Sequence, residues 1–208
     1  MNKLLIIGAR GWGREVLWSF KTDRKDLEIK GFLDDNVHAL DGLTGDFPPI
    51  VSSVEDYQIQ PDDVFFCAVG DPYYRQKYAD IIEERGGKFV TYVNPHSIVS
   101  PHAQIKDGSF IGLYTIISDN VVIGKHAMIH GFCTIGHDVT IGDYVSMEAY
   151  CFMGGYAEIG DSSSIHVRST ILSHKKVGKG ASVGATSLVI RNVKDGTNVF
   201  GIPAKKIY

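Results

Sequence analysis

The sequence predicts two fold classes in one chain: a small α/β, Rossmann-like domain, followed by an all-β, left-handed parallel β-helix of hexapeptide repeats. Strand and helix patterns alternate through residues 1–95, which is typical of a parallel α/β sheet. Beyond them an apolar residue recurs every six positions. An isolated helix repeats near 3.6 residues and an isolated strand near 2, so neither explains this period. We therefore expect domains at residues 1–95 and 96–208.

The composition is that of an ordinary globular protein. The 208 residues carry a net charge of −3 and are 44% hydrophobic. No basic run or stripe is present, so nucleic acid is not an expected partner. The apolar run before Gly8 is too short for a signal peptide, and no stretch has the length of a membrane span. We expect a cytoplasmic protein.

A glycine-rich turn follows the first predicted strand. The strand is KLLII at residues 3–7, and Gly8, Gly11 and Gly13 form a G-x-x-G-x-G pattern before the helical segment REVLWSFKT. Such glycines let main-chain N–H groups approach a phosphate at the positive end of a helix. The pattern alone leaves three interpretations open: a nucleotide or nucleotide-sugar site, a purely structural turn, and NAD(P)-dependent redox chemistry.

The following elements add acidic and turn residues to the same sheet edge. The second strand, EIKGFLDD, ends in Asp34 and Asp35, whose carboxylates can accept hydrogen bonds from ribose or a base. The third strand, DDVFFCAVG, ends at Gly70, and Asp71 followed by proline is a typical helix start. KFVTYVNP is expected to be a fourth strand of this domain.

The hexapeptide period continues without insertion over sixteen repeats. A coil of short strands and turns, with one inward residue per strand, produces such a period. We expect about five coils of about eighteen residues, three strands to a coil. Glycine directly after the key isoleucine, as at Gly112 and Gly136, suits a positive φ or a close approach of main chains. The key residues are Val99, Ile105, Ile111, Ile117, Ile123, Ile129, Ile135, Ile141, Met147, Met153, Ile159, Ile165, Ile171, Val177, Val183 and Val189.

The run Ile-Gly-His-Asp places a histidine at a coil corner. Asp138 can fix the tautomer of His137 and support its protonated form. Residues eighteen apart stack, which sets Asp119 below this histidine and Gly155 above it. Gly154 and Gly155 offer bare main-chain N–H groups for the oxyanion of acyl transfer. A histidine at a surface turn without function is the alternative.

Two further columns of stacked residues follow from the same arithmetic. One is interpreted as an aromatic ladder capped by a cation. The second leaves open a solvated or subunit-facing ladder, a substrate contact, and a metal site; no metal is predicted. Their members are Tyr114, Phe132, Tyr150 and Arg168 in the first column, and His130, Glu148 and His166 in the second.

With these motifs together, the sequence resembles the bacterial sugar O-/N-acyltransferases of the left-handed β-helix superfamily. The motifs are G-A-x-G-x-G-R-E-V from Gly8, F-L-D-D, A-V-G-D, the coils with their G-H-D run, and G-x-P-A-K near the C-terminus. The family includes sialic acid O-acetyltransferases and N-acetyltransferases of UDP-linked or dTDP-linked 4-amino-4,6-dideoxy sugars. The resemblance extends over the whole chain.

The resemblance implies a homotrimer that takes acetyl-CoA as co-substrate and holds a nucleotide sugar in the N-terminal domain. His137 matches the general base, Asp138 its acidic partner, and Gly155 the N–H that faces the thioester carbonyl. The acetyl-CoA contacts would be Gly154, Gly155, Val167, Ala185 and Lys205. The nucleotide-sugar contacts would be Gly8, Gly11, Trp12, Gly13, Asp34, Asp35, Val69, Gly70 and Asp71.

Three positions depart from the family pattern. Trp12 stands where relatives that acetylate UDP-amino sugars often carry histidine, Ser146 where some have a second histidine, and His130 where asparagine is frequent. These departures concern the acceptor more than the reaction.

The function predicted on this basis is acetyl-CoA-dependent N-acetylation of a nucleotide-linked amino sugar for surface polysaccharide or glycan synthesis. O-acetylation of sialic acid or another sugar hydroxyl is the alternative within the class. Hypotheses from other classes are a non-catalytic β-helix scaffold or regulatory trimer, a nucleotide-dependent oxidoreductase, and a metalloenzyme similar to the γ-carbonic anhydrases.

Overall fold

The structure is a computed structural model that describes residues 1–207. It divides into two compact units, residues 1–90 and residues 91 onward. The hexapeptide β-helix and the small α/β domain predicted from the sequence are both confirmed. Neither α-helix in the described part of the chain has the length and apolarity needed to cross a bilayer.

The first unit is a four-stranded parallel sheet with two helices. The sheet order is β3-β2-β1-β4, and the central strand β1 is buried and apolar on both faces from Leu4 to Ile7, as expected where helices cover a parallel sheet. Phe32, Phe65 and Phe66 are fully buried there. The elements are β1 (Asn2–Ile7), α1 (Gly11–Asp23), β2 (Leu27–Leu33), β3 (Ile50–Ser52), β4 (Asp63–Cys67) and α2 (Pro72–Glu84).

The expected fourth strand, KFVTYVNP, is divided between the two units. Phe89 makes an isolated bridge with Phe65 of β4, whereas Tyr92 pairs with Phe110 in the β-helix. The rings of Tyr92 and Phe110 stack with centroids 4.8 Å apart. Val93 is six residues before Val99, so the hexapeptide period already begins in this segment. Tyr92 and Val93 therefore form a β-helix strand instead of continuing the strand of the α/β sheet. The sheet's fourth strand is instead β3, which lies at the edge of the sheet beside β2.

The second unit is built from short parallel strands on three faces. Partners are eighteen residues apart, as in the pair Thr134 and Phe152. The first face is β5-β8-β11-β14-β17-β20-β22, the second β6-β9-β12-β15-β18-β21, and the third β7-β10-β13-β16-β19. The strands are β5 (Tyr92–Val93), β6 (Ile98–Val99), β7 (Gln104–Ile105), β8 (Phe110–Ile111), β9 (Ile116–Ile117), β10 (Val122–Ile123), β11 (Met128–Ile129), β12 (Thr134–Ile135), β13 (Thr140–Ile141), β14 (Ser146–Met147), β15 (Phe152–Met153), β16 (Glu158–Ile159), β17 (Ser164–Ile165), β18 (Thr170–Ile171), β19 (Lys176–Val177), β20 (Ser182–Val183), β21 (Leu188–Val189), β22 (Asn198–Phe200) and β23 (Lys205–Lys206).

The glycines after the key isoleucines are needed because the main chain of the next coil lies close to them, and not because their φ is positive. A Cβ on Gly136 would lie 2.8 Å from the main-chain nitrogen of Gly155 on the next coil. The left-handed conformation is found two residues later, at corner residues such as Asp138 (φ 58°) and Tyr156 (φ 60°). Asp and Asn tolerate this region better than most residues, and the coil imposes it on aromatic residues as well.

The C-terminal tail closes the coil on all three faces. Val193 bridges to Val177 on the third face, and β22 pairs with β20 on the first face. Ala204 donates its N–H to the carbonyl of Leu188 on the second face. The chain then returns as β23, antiparallel to β22.

Candidate functional sites

A cavity of about 520 Å³ opens at the carboxyl ends of the strands in the α/β unit. Ligands of open α/β sheets bind at this edge. Seven of the predicted substrate-binding residues line the cavity; Gly11 and Asp71 do not. The seven are Gly8, Trp12, Gly13, Asp34, Asp35, Val69 and Gly70.

The glycine turn brings the start of α1 against β1. A Cβ on Gly13 would lie 1.8 Å from the carbonyl oxygen of Gly8, so only glycine fits there. Arg10 is the N-cap of α1 and its side chain makes no capping hydrogen bond. The first N–H groups of α1 are therefore not used by a side-chain cap, which leaves them suited to an anion.

Asp71 and α2 show the contrasting arrangement. The carboxylate of Asp71 accepts the main-chain N–H groups of Tyr73 and Tyr74 at 2.9 and 3.2 Å. It is a helix cap, which accounts for its sequence signature without a ligand.

The two aspartates after β2 have different roles. Asp34 accepts the N–H of Ala9 at 2.8 Å and the N–H of Asn36 at 2.9 Å, so both of its carboxylate oxygens are hydrogen-bonded to main-chain N–H groups. Asp35 instead accepts the hydroxyl of Tyr78 at 2.7 Å and is exposed at the cavity. Burial, together with this hydrogen bond, raises the pKa of Tyr78 to about 12. Asp35 is thus the carboxylate that remains open to a ligand.

Four polar residues of the cavity lining were not found from the sequence: Arg10, Asn36, Tyr74 and Tyr78. The two tyrosines lie four residues apart on α2, and this i, i+4 spacing from the helix start was the available signal. Arg75 was also missed. It is fully buried, and its Nη1 donates to the carbonyl oxygens of Val69 and Gly70 at 2.8 and 2.9 Å. It therefore fixes the wall of the cavity from behind.

In the β-helix, His137 is oriented by its neighbour. Its Nδ1 lies 2.8 Å from Oδ2 of Asp138, and the second oxygen of Asp138 accepts the amide of Asn120 at 2.7 Å. The hydrogen bonds from Asn120 and His137 hold the pKa of Asp138 below its usual value. The ring of Tyr156 meets the imidazole edge-on, with centroids 5.1 Å apart.

The expected carboxylate below His137 is engaged elsewhere. Asp119 accepts Ser100 Oγ at 2.7 Å and lies 2.6 Å from Nδ1 of His102. Stacking at eighteen residues places the main chains correctly, but the Asp119 side chain turns to the coil beneath. Asp138 is therefore the carboxylate that contacts the base candidate.

Gly155 lies above His137 with its N–H free. A Cβ on Gly155 would stand 2.8 Å from Cε1 and Nε2 of the ring, and its N–H donates to none of the residues 1–207. Gly154 was expected to offer a second bare N–H, but it donates to the carbonyl of Ile171 at 2.9 Å. Of the two N–H groups, the one of Gly154 is therefore used in the hydrogen bonding between coils, and the one of Gly155 is not.

The predicted acetyl-CoA contacts on later coils differ in whether their main-chain N–H groups are already hydrogen-bonded within the protein. The N–H of Val167 donates to Glu148 at 2.9 Å and its carbonyl accepts Thr186. Ala185 has an N–H that donates to no other described residue. Lys205 lies in the exposed strand β23.

The aromatic ladder predicted from the sequence is confirmed. Phe132 stacks on Tyr150 at 4.9 Å, and Arg168 covers the Tyr150 ring at 5.7 Å. In the second column, Glu148 pairs with His166. Within residues 1–207 no group of three or more His, Cys, Asp and Glu side chains has a metal-binding arrangement.

The two units define a class of protein: a small parallel α/β domain followed by a hexapeptide β-helix. Residues 3–82 match the PglD N-terminal domain, and residues 120–155 match the six-repeat bacterial transferase hexapeptide family. The chain therefore carries a PglD-type N-terminal domain followed by bacterial transferase hexapeptide repeats, the two parts on which the resemblance was based.

A characterised relative is similar to about half of the chain. UDP-N-acetylbacillosamine N-acetyltransferase of Bacillus subtilis (strain 168) is 30% identical over 115 residues, which are 53% of this chain and 51% of that protein. The match thus spans about half the length of that relative.

Solved structures show the same fold over the full length. PerB from Caulobacter crescentus, in complex with CoA and GDP-perosamine, has a TM-score of 0.90 at 22% identity, covering 100% of this chain and 98% of that one. The acetyltransferase domain of PglB from Neisseria gonorrhoeae has a TM-score of 0.85 at 23% identity, with 100% of both chains covered.

Proposed function

We propose that the protein transfers the acetyl group of acetyl-CoA to the amino group of a nucleotide-linked sugar. The observation that carries this proposal is the arrangement at one coil corner. An oriented imidazole, His137, lies beside a free N–H, that of Gly155. Acyl transfer requires a general base for the attacking nucleophile and a hydrogen-bond donor for the oxyanion, and these two groups supply both.

The mechanism follows from the ring's tautomer. Nδ1–H donates to Asp138, so Nε2 carries the lone pair and faces the space at Gly155. The sugar amine attacks the thioester carbonyl carbon, and Nε2 accepts the proton that the nitrogen loses. The N–H of Gly155 stabilises the oxyanion. The carbon–sulfur bond then breaks, and the thiolate takes the proton from His137 to leave as CoA.

The α/β cavity supports a nucleotide-linked acceptor. The α1 N-terminus and the glycine turn suit a pyrophosphate, Asp35 offers a carboxylate to ribose or base, and the volume of about 520 Å³ is that of a small-molecule site. The Bacillus subtilis relative is named for a UDP-linked sugar, and the Caulobacter structure holds a GDP-linked one. Synthesis of a surface glycan is the process we propose for the product.

We also propose that the protein works as a homotrimer. The aromatic ladder leaves Tyr114, Phe132 and Tyr150 about half exposed, and the neighbouring Ile116 and Phe152 are exposed as well. This apolar stripe is suited to a second copy of the chain. Light scattering should give three times the 22.9 kDa chain mass; a monomer at micromolar concentration would contradict the trimer without affecting the chemistry.

A thiol-release assay tests the function. Acetyl-CoA is offered with UDP-, GDP- and dTDP-linked 4-amino-4,6-dideoxy sugars, and with free sialic acid as the O-acetylation arm. We expect turnover with a nucleotide amino sugar and a product heavier by one acetyl group. His137→Ala should lower kcat about 10²–10⁴-fold while acetyl-CoA affinity stays near the wild-type value. Turnover with sialic acid alone, or near-normal kcat in the variant, would refute the proposal.

A further inference from the structure

A second hydrogen-bonded histidine lies on the first face of the β-helix. Oε1 of Glu148 is 3.0 Å from Nδ1 of His166, and Nε2 of His166 is 3.3 Å from Oγ of Ser182. The three residues come from three successive coils. The other oxygen of Glu148 accepts the N–H of Val167 at 2.9 Å, which fixes the carboxylate.

These contacts determine which ring nitrogen of His166 carries the proton. Burial disfavours the charged form of Glu148, but the hydrogen bonds from His166 and Val167 outweigh it and hold its pKa below the usual value. The carboxylate therefore accepts Nδ1–H, which leaves Nε2 as the acceptor facing the Ser182 hydroxyl. This is the tautomer that a general base needs in order to activate a serine.

The other histidine–carboxylate pairs do not continue to a serine hydroxyl. His38 with Asp41, His102 with Asp119 and His137 with Asp138 each have the carboxylate on Nδ1. Within residues 1–207, none of these three histidines has a serine bonded to Nε2. The serine at the third position therefore distinguishes the Glu148–His166–Ser182 column, and a solvated ladder does not require it.

We propose that Ser182 is a nucleophile that small activated acyl esters and thioesters acylate, with His166 as its base and Glu148 as the group that orients the base. Oγ of Ser182 forms a bond to the acyl carbon while Nε2 of His166 accepts the hydroxyl proton. The leaving alkoxide or thiolate takes that proton as its bond breaks. Water then hydrolyses the acyl-serine by the same base, releasing the carboxylic acid and regenerating the hydroxyl.

The column is open to such a reagent. The side chains of His166 and Glu148 are 41% and 46% exposed, and Ser182 is half-buried at the start of β20. Ala185, three residues further along the chain, has the N–H that donates to no described residue. The base of this proposed reaction is His166, whereas the base proposed for acetyl transfer to a sugar is His137.

A fluorophosphonate probe tests the proposal, because it phosphonylates a serine only when a base activates the hydroxyl and fluoride leaves. Intact mass should show one adduct per chain, and peptide mapping should place it on Ser182. Ser182→Ala should abolish this adduct. His166→Gln should slow labelling about 10²-fold, and Glu148→Gln should slow it about tenfold. Thermal melting of each variant shows that the fold is retained.

The chain supplies a matched control. Ser164 pairs with Ser182 in the ladder, one coil earlier, so Ser164→Ala should leave the labelling rate within about twofold. Absence of an adduct on Ser182 under conditions that saturate a known serine esterase would overturn the proposal. Equal labelling of the wild type and His166→Gln would also overturn it. Neither result bears on the sugar acetyltransferase assay, in which loss is expected from His137→Ala.

Discussion

Gly155 stands directly above His137: a methyl group on the glycine would lie 2.8 Å from Cε1 and Nε2 of the ring. Real Cβ atoms do not approach this closely, so alanine must displace the imidazole or the coil. The side that would be filled is the side on which the proposed base meets the thioester. Both the base and the oxyanion donor therefore depend on the absence of one methyl group.

The first prediction follows from this contact. Gly155→Ala should lower kcat about 10²-fold or more, because it moves Nε2 and obstructs the N–H that would bind the oxyanion. Steady-state kinetics with a nucleotide amino sugar measures the effect. Gly11→Ala is the control, since a Cβ there meets nothing within 4 Å. An unchanged kcat in Gly155→Ala would show that the reaction occurs elsewhere.

The second prediction separates Asp138 from Asp119. Asp138→Asn should lower kcat about 10²–10⁴-fold, because an amide that donates to Nδ1 would select the wrong tautomer. Asp119→Asn alters the His102 pair one coil away and should leave kcat within about twofold. Equal losses in both variants would indicate a general effect on the coil rather than an oriented base.

The third prediction concerns the glycine turn of the α/β unit. Gly13→Ala should destabilise this unit by about 1–3 kcal/mol or more, since its Cβ would overlap the carbonyl of Gly8. Nucleotide-sugar affinity should fall with it. The chain's two tryptophans, Trp12 and Trp18, both lie in this unit, so tryptophan fluorescence during denaturation reports its unfolding. Gly11→Ala should be neutral or slightly stabilising in the same measurement.

The fourth prediction is a pH dependence centred on Asp63. Burial would raise its pKa, but the bonds from Lys30, Tyr57 and Gln60 prevail and hold the pKa below the usual value. A lowered pKa means stability that is fully present above about pH 4 and lost as pH falls through the folded-state pKa. Tryptophan-monitored unfolding should show this decline.

The matched variant is Asp63→Asn. It should cost about 1–3 kcal/mol at neutral pH by leaving Lys30 without its carboxylate, and its stability should vary less below pH 4 than that of the wild type. Parallel pH profiles for the two proteins would show that another carboxylate is responsible.

The fifth prediction treats Arg75 as a positioning residue of the cavity. Lysine cannot reproduce the planar donor geometry that holds the carbonyls of Val69 and Gly70. Arg75→Lys should raise the KM for the nucleotide sugar about tenfold, with a much smaller change in kcat and in the KM for acetyl-CoA. A uniform loss of activity together with a lower melting temperature would mean a purely structural role.

The sequence predicts main-chain positions in the β-helix more reliably than side-chain contacts. Because the ladder advances by eighteen residues at each coil, the placement of Gly155 above His137 follows from counting. The partner of His137 does not follow, since Asp119 and Asp138 were both within reach and side-chain rotamers decided between them. Phe89 and Tyr92 fell on different units because a short strand satisfies two patterns at once.

In the α/β unit the sequence predicts which edge of the sheet carries the cavity, but it does not predict all of the residues that line or support it. Glycines and acidic residues after strands indicate a site, and seven of the nine predicted contacts line the cavity. Asp71 caps α2 and does not line the cavity; a helix cap and a ligand carboxylate have the same sequence signature. Arg75 lies in a helix with no motif, and only its burial against two carbonyl groups shows what it does.

The tail that covers three faces has a consequence for assembly. An uncovered terminal coil of a parallel β-helix presents unpaired main-chain donors and acceptors, which form a template for further strands. Val193, β22 and Ala204 pair with these groups in turn, and β23 returns antiparallel to β22. Among the described residues, these contacts occupy the hydrogen-bonding groups to which a parallel strand of another chain would add, so they oppose edge-to-edge association at this coil.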